Sequence, residues 1–98
     1  MTLKTAIIGS GIIGCDILCK VLAHPDLDCT LVAGRSADSA GLLFARHCGV
    51  ATTADGIDGL FERIDNFDLV FDATSATDHE FHAPRVVAAG KTIINLTP

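Results

Sequence analysis

Three glycines stand at the spacing Gly-x-Gly-x-x-Gly in Gly9-Ser10-Gly11-Ile12-Ile13-Gly14. The bare pattern carries little weight, but here it follows a β-like run and opens a helix-like one, the context in which it means phosphate binding. Gly9 permits a tight strand-to-helix turn, Gly11 lets a pyrophosphate approach the backbone, and Gly14 lets the helix pack closely on the sheet. The free amides of Ile12 and Ile13 in the first turn and the positive end of the helix dipole then face the phosphates. The Ser10 hydroxyl could add a further donor. The alternative is a tight turn that binds nothing.

A dinucleotide site needs two more elements. About 20 residues after the glycines, an acid closing the second strand would bond the ribose hydroxyls of NAD. The chain has Ala33-Gly34-Arg35-Ser36 at that place, with Asp38 two residues further on. An arginine there can stack on adenine or accept a 2′-phosphate, so these residues lean toward NADP or tolerance of both cofactors. The alternative is a solvated loop charge. The third element is Asp72-Ala73-Thr74-Ser75-Ala76 at the end of the fourth strand. Its small side chains leave room for a cofactor, and Thr74 and Ser75 could bond it. Ser75 or Thr77 could equally cap the following helix.

Other reactive side chains offer less. Cys15, Cys19, Cys29 and Cys48 contain no Cys-x-x-Cys pair. Without a signal peptide they read as reduced thiols of a cytosolic protein. Cys15 and Cys19 share a helix face but lack a histidine to complete a zinc set. Cys15 near a helix start could have a lowered pKa, yet it would lie beside the pyrophosphate. Cys19, Cys29 and Cys48 read as core or packing residues. His79 and His82, in Asp78-His79-Glu80-Phe81-His82, share a helix face and could hold a metal with Asp78, although a charged surface helix start explains them better. Asn95-Leu96-Thr97 matches a glycosylation acceptor by chance, given its place in a strand. No catalytic residue and no metal site is assigned.

These residues need a scaffold, and the chain supplies one by alternation. Strands are predicted at Lys4–Ile8, Cys29–Ala33, Val50–Thr53, Asp68–Ala73 and Lys91–Leu96. Between them, helices are predicted at Ile12–Ala23, from a cap at Ser36 or Asp38 to about His47, from Asp55 or Gly56 to about Arg63, and from Ser75 or Thr77 through Ala89. In the first helix Ile13, Ile17, Leu18, Val21 and Leu22 make one apolar stripe. Five strands alternating with four helices imply an α/β fold, a Rossmann-type doubly wound parallel sheet in the order 3-2-1-4-5 with helices on both faces.

Composition agrees. The 98 residues suit one domain, residues 1–98, and 49% hydrophobic against 19% charged residues excludes disorder. Seven basic against twelve acidic residues, with no basic cluster, argue against a nucleic-acid or anionic-membrane partner. The apolar runs fall far short of the ~20 residues that span a bilayer.

The segments Ala6–Gly14, Gly49-Val50-Ala51-Thr52-Thr53, Asp68–Ala76 and Leu96-Thr97-Pro98 together resemble acylating acetaldehyde dehydrogenases of meta-cleavage pathways for aromatic compounds. The resemblance covers nearly the whole chain, in family order. It implies a cytoplasmic oxidoreductase that takes acetaldehyde, coenzyme A and NAD to acetyl-CoA and NADH, through a cysteine thiolate in a second domain. It also implies a 4-hydroxy-2-oxovalerate aldolase partner. Ser10, Gly11, Ile12 and Ile13 match the family's dinucleotide loop, with Ile12 where asparagine is common. Arg35 and Ser36 fall in a variable stretch; the resemblance ranks NAD above NADP. The catalytic cysteine lies beyond Pro98 in the family, so this chain alone is expected to bind cofactor without turnover. The face toward the missing domain, near the C-terminal strand, is expected to expose apolar side chains. Open alternatives are a free-standing nucleotide-sensing module, or the cofactor domain of a semialdehyde dehydrogenase or dihydrodipicolinate-type reductase.

Overall fold

The apolar run after the N-terminus forms β1 (Leu3–Ile8), whose last four residues are buried. The structure, a computed structural model, describes residues 2–96. Four more strands follow, β2 (Leu27–Ala33), β3 (Thr52–Thr53), β4 (Leu69–Asp72) and β5 (Thr92–Asn95). All pair in parallel, in the spatial order β3-β2-β1-β4-β5. The expected doubly wound order is therefore present, with its switch point between β1 and β4. Helices α1 (Ile12–Ala23), α2 (Ala40–His47), α3 (Gly56–Glu62) and α4 (Ala76–Ala88) make the crossovers.

The central strands are covered on both faces, so their side chains divide between two cores. Ala6, Ile8, Leu31, Ala33 and Val70 meet Leu60 of α3 and Val86 of α4 on one face. Ile7, Cys29 and Val32 meet Leu18 and Val21 of α1 and Leu42 and Ala45 of α2 on the other. Cys29 and Val32 share a face despite their odd spacing because the β1–β2 register skips Thr30. At that irregularity the Thr5 hydroxyl donates to the Asp28 carbonyl and the Thr30 hydroxyl to the Thr5 carbonyl.

Several boundaries differ from expectation for local reasons. α2 begins at Ala40 with Ser39 as its cap, its Oγ accepting from the Leu42 amide, rather than at Ser36 or Asp38. The Ser36 carbonyl accepts from the Ser39 amide, and that turn delays the helix. A 3-10 turn at Ile64–Asn66 follows α3, which no sequence signal announced. The buried stripe of α1 runs through Gly14, Leu18 and Val21, so Ile13 and Leu22 at its margins are partly exposed. Cys19 lies off that stripe and Cys48 caps the end of α2; both are exposed, and only Cys29 of the three joins the core. The Leu96-Thr97-Pro98 segment and the Asn95-Leu96-Thr97 triplet run into Thr97 and Pro98, outside the described residues.

The β1–α1 turn is locked by contacts that leave no room for a side chain. Gly9 has φ +110°, and a Cβ there would come within 2.7 Å of the Ala73 carbonyl at the end of β4. Its amide donates to the Ala33 carbonyl, while the Ala73 amide donates to the Ile8 carbonyl. Gly41 in α2 lies so close to the Ser10 carbonyl that a Cβ would overlap it. Gly41→Ala must push α2 away from this turn, at a cost of about 1–3 kcal/mol. A urea midpoint clearly below that of the wild type is the expected result, and an unchanged midpoint would show that the two segments do not touch.

Candidate functional site

The carboxyl ends of β1, β2 and β4 open into a cleft of about 540 Å³. Such ends, at the strand-order switch, are where ligands enter open α/β sheets. Gly9, Ser10 and Gly11 line it from the first turn, Gly34, Arg35 and Ser36 from the second strand, and Thr74 and Ser75 from the fourth. The three segments singled out in the sequence therefore meet in one place.

Within the first segment, the roles separate. Gly11 has ordinary extended backbone, φ −84°, and a Cβ there would meet nothing within 4 Å. Its missing side chain leaves space in the cleft, the approach a pyrophosphate needs. α1 has no side-chain cap at Gly11, and the first helical bond runs from the Cys15 amide to the Gly11 carbonyl. The amides of Ile12, Ile13 and Gly14 thus precede the helical ladder, free to face an anion. The side chains of Ile12 and Ile13 do not line the cleft; Ile12 is 90% exposed. Gly14 does not line it either. It is buried against the Gly9 carbonyl, where a Cβ would overlap, so its missing side chain serves to close the turn. The Ser10 hydroxyl accepts from Ser39 Oγ at 3.1 Å, which ties the turn to the start of α2.

In the other segments, intramolecular bonds already occupy several candidates. Thr74 Oγ1 donates to Asp72 Oδ1 at 2.5 Å, so it can offer a ligand only lone pairs. Ser75 caps α4, its Oγ accepting from the Asp78 amide at 3.1 Å, and keeps its own proton to donate. Arg35 Nη2 donates to Asp78 Oδ2 at 3.0 Å. Asp55, Gly56, Asp78 and His82 also line the cleft, and none of them was foreseen as a lining residue.

The histidines are the main departure from expectation. His79 and His82 are not surface charges: their Nδ1 atoms lie 2.8 and 3.3 Å from Asp72 Oδ2, and their side chains are 19% and 12% exposed. Among the described residues no group of three or more His, Cys, Asp or Glu side chains is arranged for a metal. Asp72 is fully buried at the end of β4, with both imidazoles on its Oδ2. Burial alone would raise its pKa, but the Thr74 hydroxyl and amide and the two imidazoles outweigh that and hold it below the ordinary carboxylate range. The spacing of Asp72, His79 and His82 was visible in the sequence; what was missing was that β4 and α4 fold back on each other. Cys29 is the inert extreme, its thiol pushed up to about 11 by burial.

A carboxylate whose folded pKa is depressed stabilises the fold above its unfolded value, about 3.9, and that contribution disappears as pH falls through the folded value. Asp72→Asn is expected to cost about 1.5–3 kcal/mol at pH 5, as hydrogen bonds to a charged group do. The gap from the wild type should close as pH is lowered further. Urea midpoints of both proteins between pH 5 and pH 2 test this; a gap that stays constant over that range would contradict it.

Comparison with known proteins agrees with the geometry. The family model described as shikimate / quinate 5-dehydrogenase matches residues 1–95. An acetaldehyde dehydrogenase of Streptomyces griseus is 50% identical over 97 residues, covering 99% of this chain and 31% of that protein. Acetaldehyde dehydrogenase 2 of Salinispora arenicola is 51% identical over 96 residues, 98% of this chain and 32% of that protein. The chain thus spans about a third of the length of the curated relatives it matches. Among solved structures, GenD2 from gentamicin A biosynthesis, in complex with NAD, superposes with a TM-score of 0.84 at 29% identity, over 96% of this chain and 26% of that one. KijD10, a 3-ketoreductase from Actinomadura kijaniata in complex with NADP and TDP-benzene, gives a TM-score of 0.84 at 27% identity, over 97% and 29%. The chain belongs to the family described as shikimate / quinate 5-dehydrogenase, and curated relatives that share half its residues are acetaldehyde dehydrogenases.

Proposed function

We propose that the chain is the NAD(H)-binding part of an acylating acetaldehyde dehydrogenase, acting in the cytoplasm in the catabolism of aromatic compounds. The longer enzyme would convert acetaldehyde, coenzyme A and NAD to acetyl-CoA and NADH. A 4-hydroxy-2-oxovalerate aldolase would supply the acetaldehyde. Residues 1–98 would form one dinucleotide-binding domain, with the nucleophilic cysteine and the acyl pocket in the rest of the enzyme. The chain by itself would bind cofactor without turnover.

The observation that carries the cofactor reading is the first turn of α1. It has an open approach at Gly11 and an uncapped helix start at the strand-order switch. The amides of Ile12, Ile13 and Gly14 would hold the pyrophosphate, a job backbone donors do without side-chain charge. Gly34 and Ser36 would flank the adenosine ribose, and Ser75 would donate from its hydroxyl on the β4 side. Bound NAD would supply the hydride acceptor that these residues lack. The acetaldehyde reading rests on relatives at 50% and 51% identity. No helix among the described residues is long and apolar enough to cross a membrane. Phe81 and Val87 on α4 and Ile94 on the edge strand β5 are exposed apolar residues that a further part of the enzyme would cover.

The family description supports a second reading, a shikimate or quinate dehydrogenase with the same cleft. Assay of the longer enzyme separates the two: NADH formation that needs acetaldehyde and coenzyme A supports the first, and turnover of shikimate supports the second. For the chain itself, NADH fluorescence should show saturable binding. Gly11→Ala should weaken it at least tenfold while costing under about 1 kcal/mol of stability, since only the cap position changes. No binding of NADH or NADPH at millimolar concentration would contradict the cofactor role.

A further inference from the structure

Arg35 leaves β2 on the side of the cleft where the proposed reading puts the adenosine ribose. Its stem passes Gly56 at the start of α3, with Cγ 3.6 Å from where a Cβ of that residue would lie. Its guanidinium ends on Asp78 in the first turn of α4, at 3.0 Å. The pair thus reaches across the mouth of the cleft, from α3 to α4. Arg35 is the only arginine or lysine among the described residues lining the cleft, against two carboxylates, Asp55 and Asp78.

This arrangement bears on how the cleft distinguishes its ligands. NADP differs from NAD by a phosphate on the ribose 2′ oxygen, close to a dianion near neutral pH. Arginine is the side chain suited to that group, because its fork of donors matches phosphate oxygens. Here one arm of the fork, Nη2, already donates to the Asp78 carboxylate. A 2′-phosphate drawn to the guanidinium must compete with Asp78 for it and sit beside that carboxylate, an anion next to an anion. A ribose hydroxyl meets no such repulsion and can donate to a carboxylate.

Resting on the dinucleotide reading above, we infer that Asp78 is a specificity-determining residue: by occupying Arg35 it turns an arginine that would favour NADP into a site that favours NAD. The ion pair itself is solvent-exposed, with the Arg35 side chain 81% accessible, so it adds little to the stability of the fold. Its consequence is the local charge that a bound phosphate would meet.

The test measures dissociation constants for NADH and NADPH by fluorescence titration, for the wild type, Asp78→Asn and the double variant Arg35→Gln/Asp78→Asn. Asparagine keeps the size of the side chain and removes its charge. The wild type should bind NADH more tightly than NADPH. In Asp78→Asn the ratio of the NADPH to the NADH constant should fall by about tenfold, the order expected for removing one close like charge. In the double variant that fall should be lost, because the freed guanidinium is what captures the phosphate. A ratio unchanged in Asp78→Asn, or changed equally in the double variant, overturns the inference while leaving NADH binding intact. A wild type that binds both dinucleotides equally also overturns it. A wild type that binds neither overturns the cofactor reading, and this inference with it.

Discussion

The packing of one turn against its neighbours sets the geometry of everything else in this protein. Between β1 and α1, the backbone at Gly9 and Ser10 is held on three sides by groups that approach closer than any side chain allows. Ala73 at the end of β4 abuts Gly9, Gly14 sits on the Gly9 carbonyl, and Gly41 of α2 lies on the Ser10 carbonyl. These contacts bring β4 and α2 together at one point and aim the start of α1 into the gap between them. Gly11, in the same turn, has no such neighbour. The turn is thus tight where it meets protein and open where it faces the cleft. That asymmetry is what a helix start needs in order to meet an anion with backbone donors.

Around that turn, polar groups are bound to each other before any ligand is considered. Asp72 engages Thr74, His79 and His82, which fastens the end of β4 to the first turns of α4. The Ser75 cap and the Arg35–Asp78 pair continue the same edge toward β2. On the opposite side Ser39 links the start of α2 to Ser10. A cleft walled by satisfied groups is pre-organised, so a ligand meets fixed donors and a fixed charge pattern instead of having to order them.

The strand order was legible because it follows from local patterns: alternating strand and helix runs, glycines at the turns and right-handed crossovers leave few topologies. The glycine segment was legible for the same reason, since its function depends on neighbouring backbone. What stayed hidden depends on partners far apart in the chain. Arg35 and Asp78 are separated by 43 residues, and nothing local to Arg35 signals that its charge is taken. His79 and His82 read as a polar helix start because their partner, Asp72, sits on the preceding strand and is reached only once α4 turns back along it. The shifted start of α2 came from a turn in which the Ser39 amide bonds the Ser36 carbonyl, where the Ser36 side chain had suggested a cap. The exposure of Cys19 and Cys48 shows the limit of composition: small thiols are frequent in cores, but their place here follows the helix stripe.

The turn after β1 and the strand ends beside it would together form one dinucleotide site. The most direct measurement is the amide NMR spectrum of the chain during titration with NAD. Shifts should concentrate at residues 9–14, 34–36 and 73–75, with little change in the distant half of α4 around Val87. Absence of shifts, or shifts confined to surfaces away from the cleft, would contradict it.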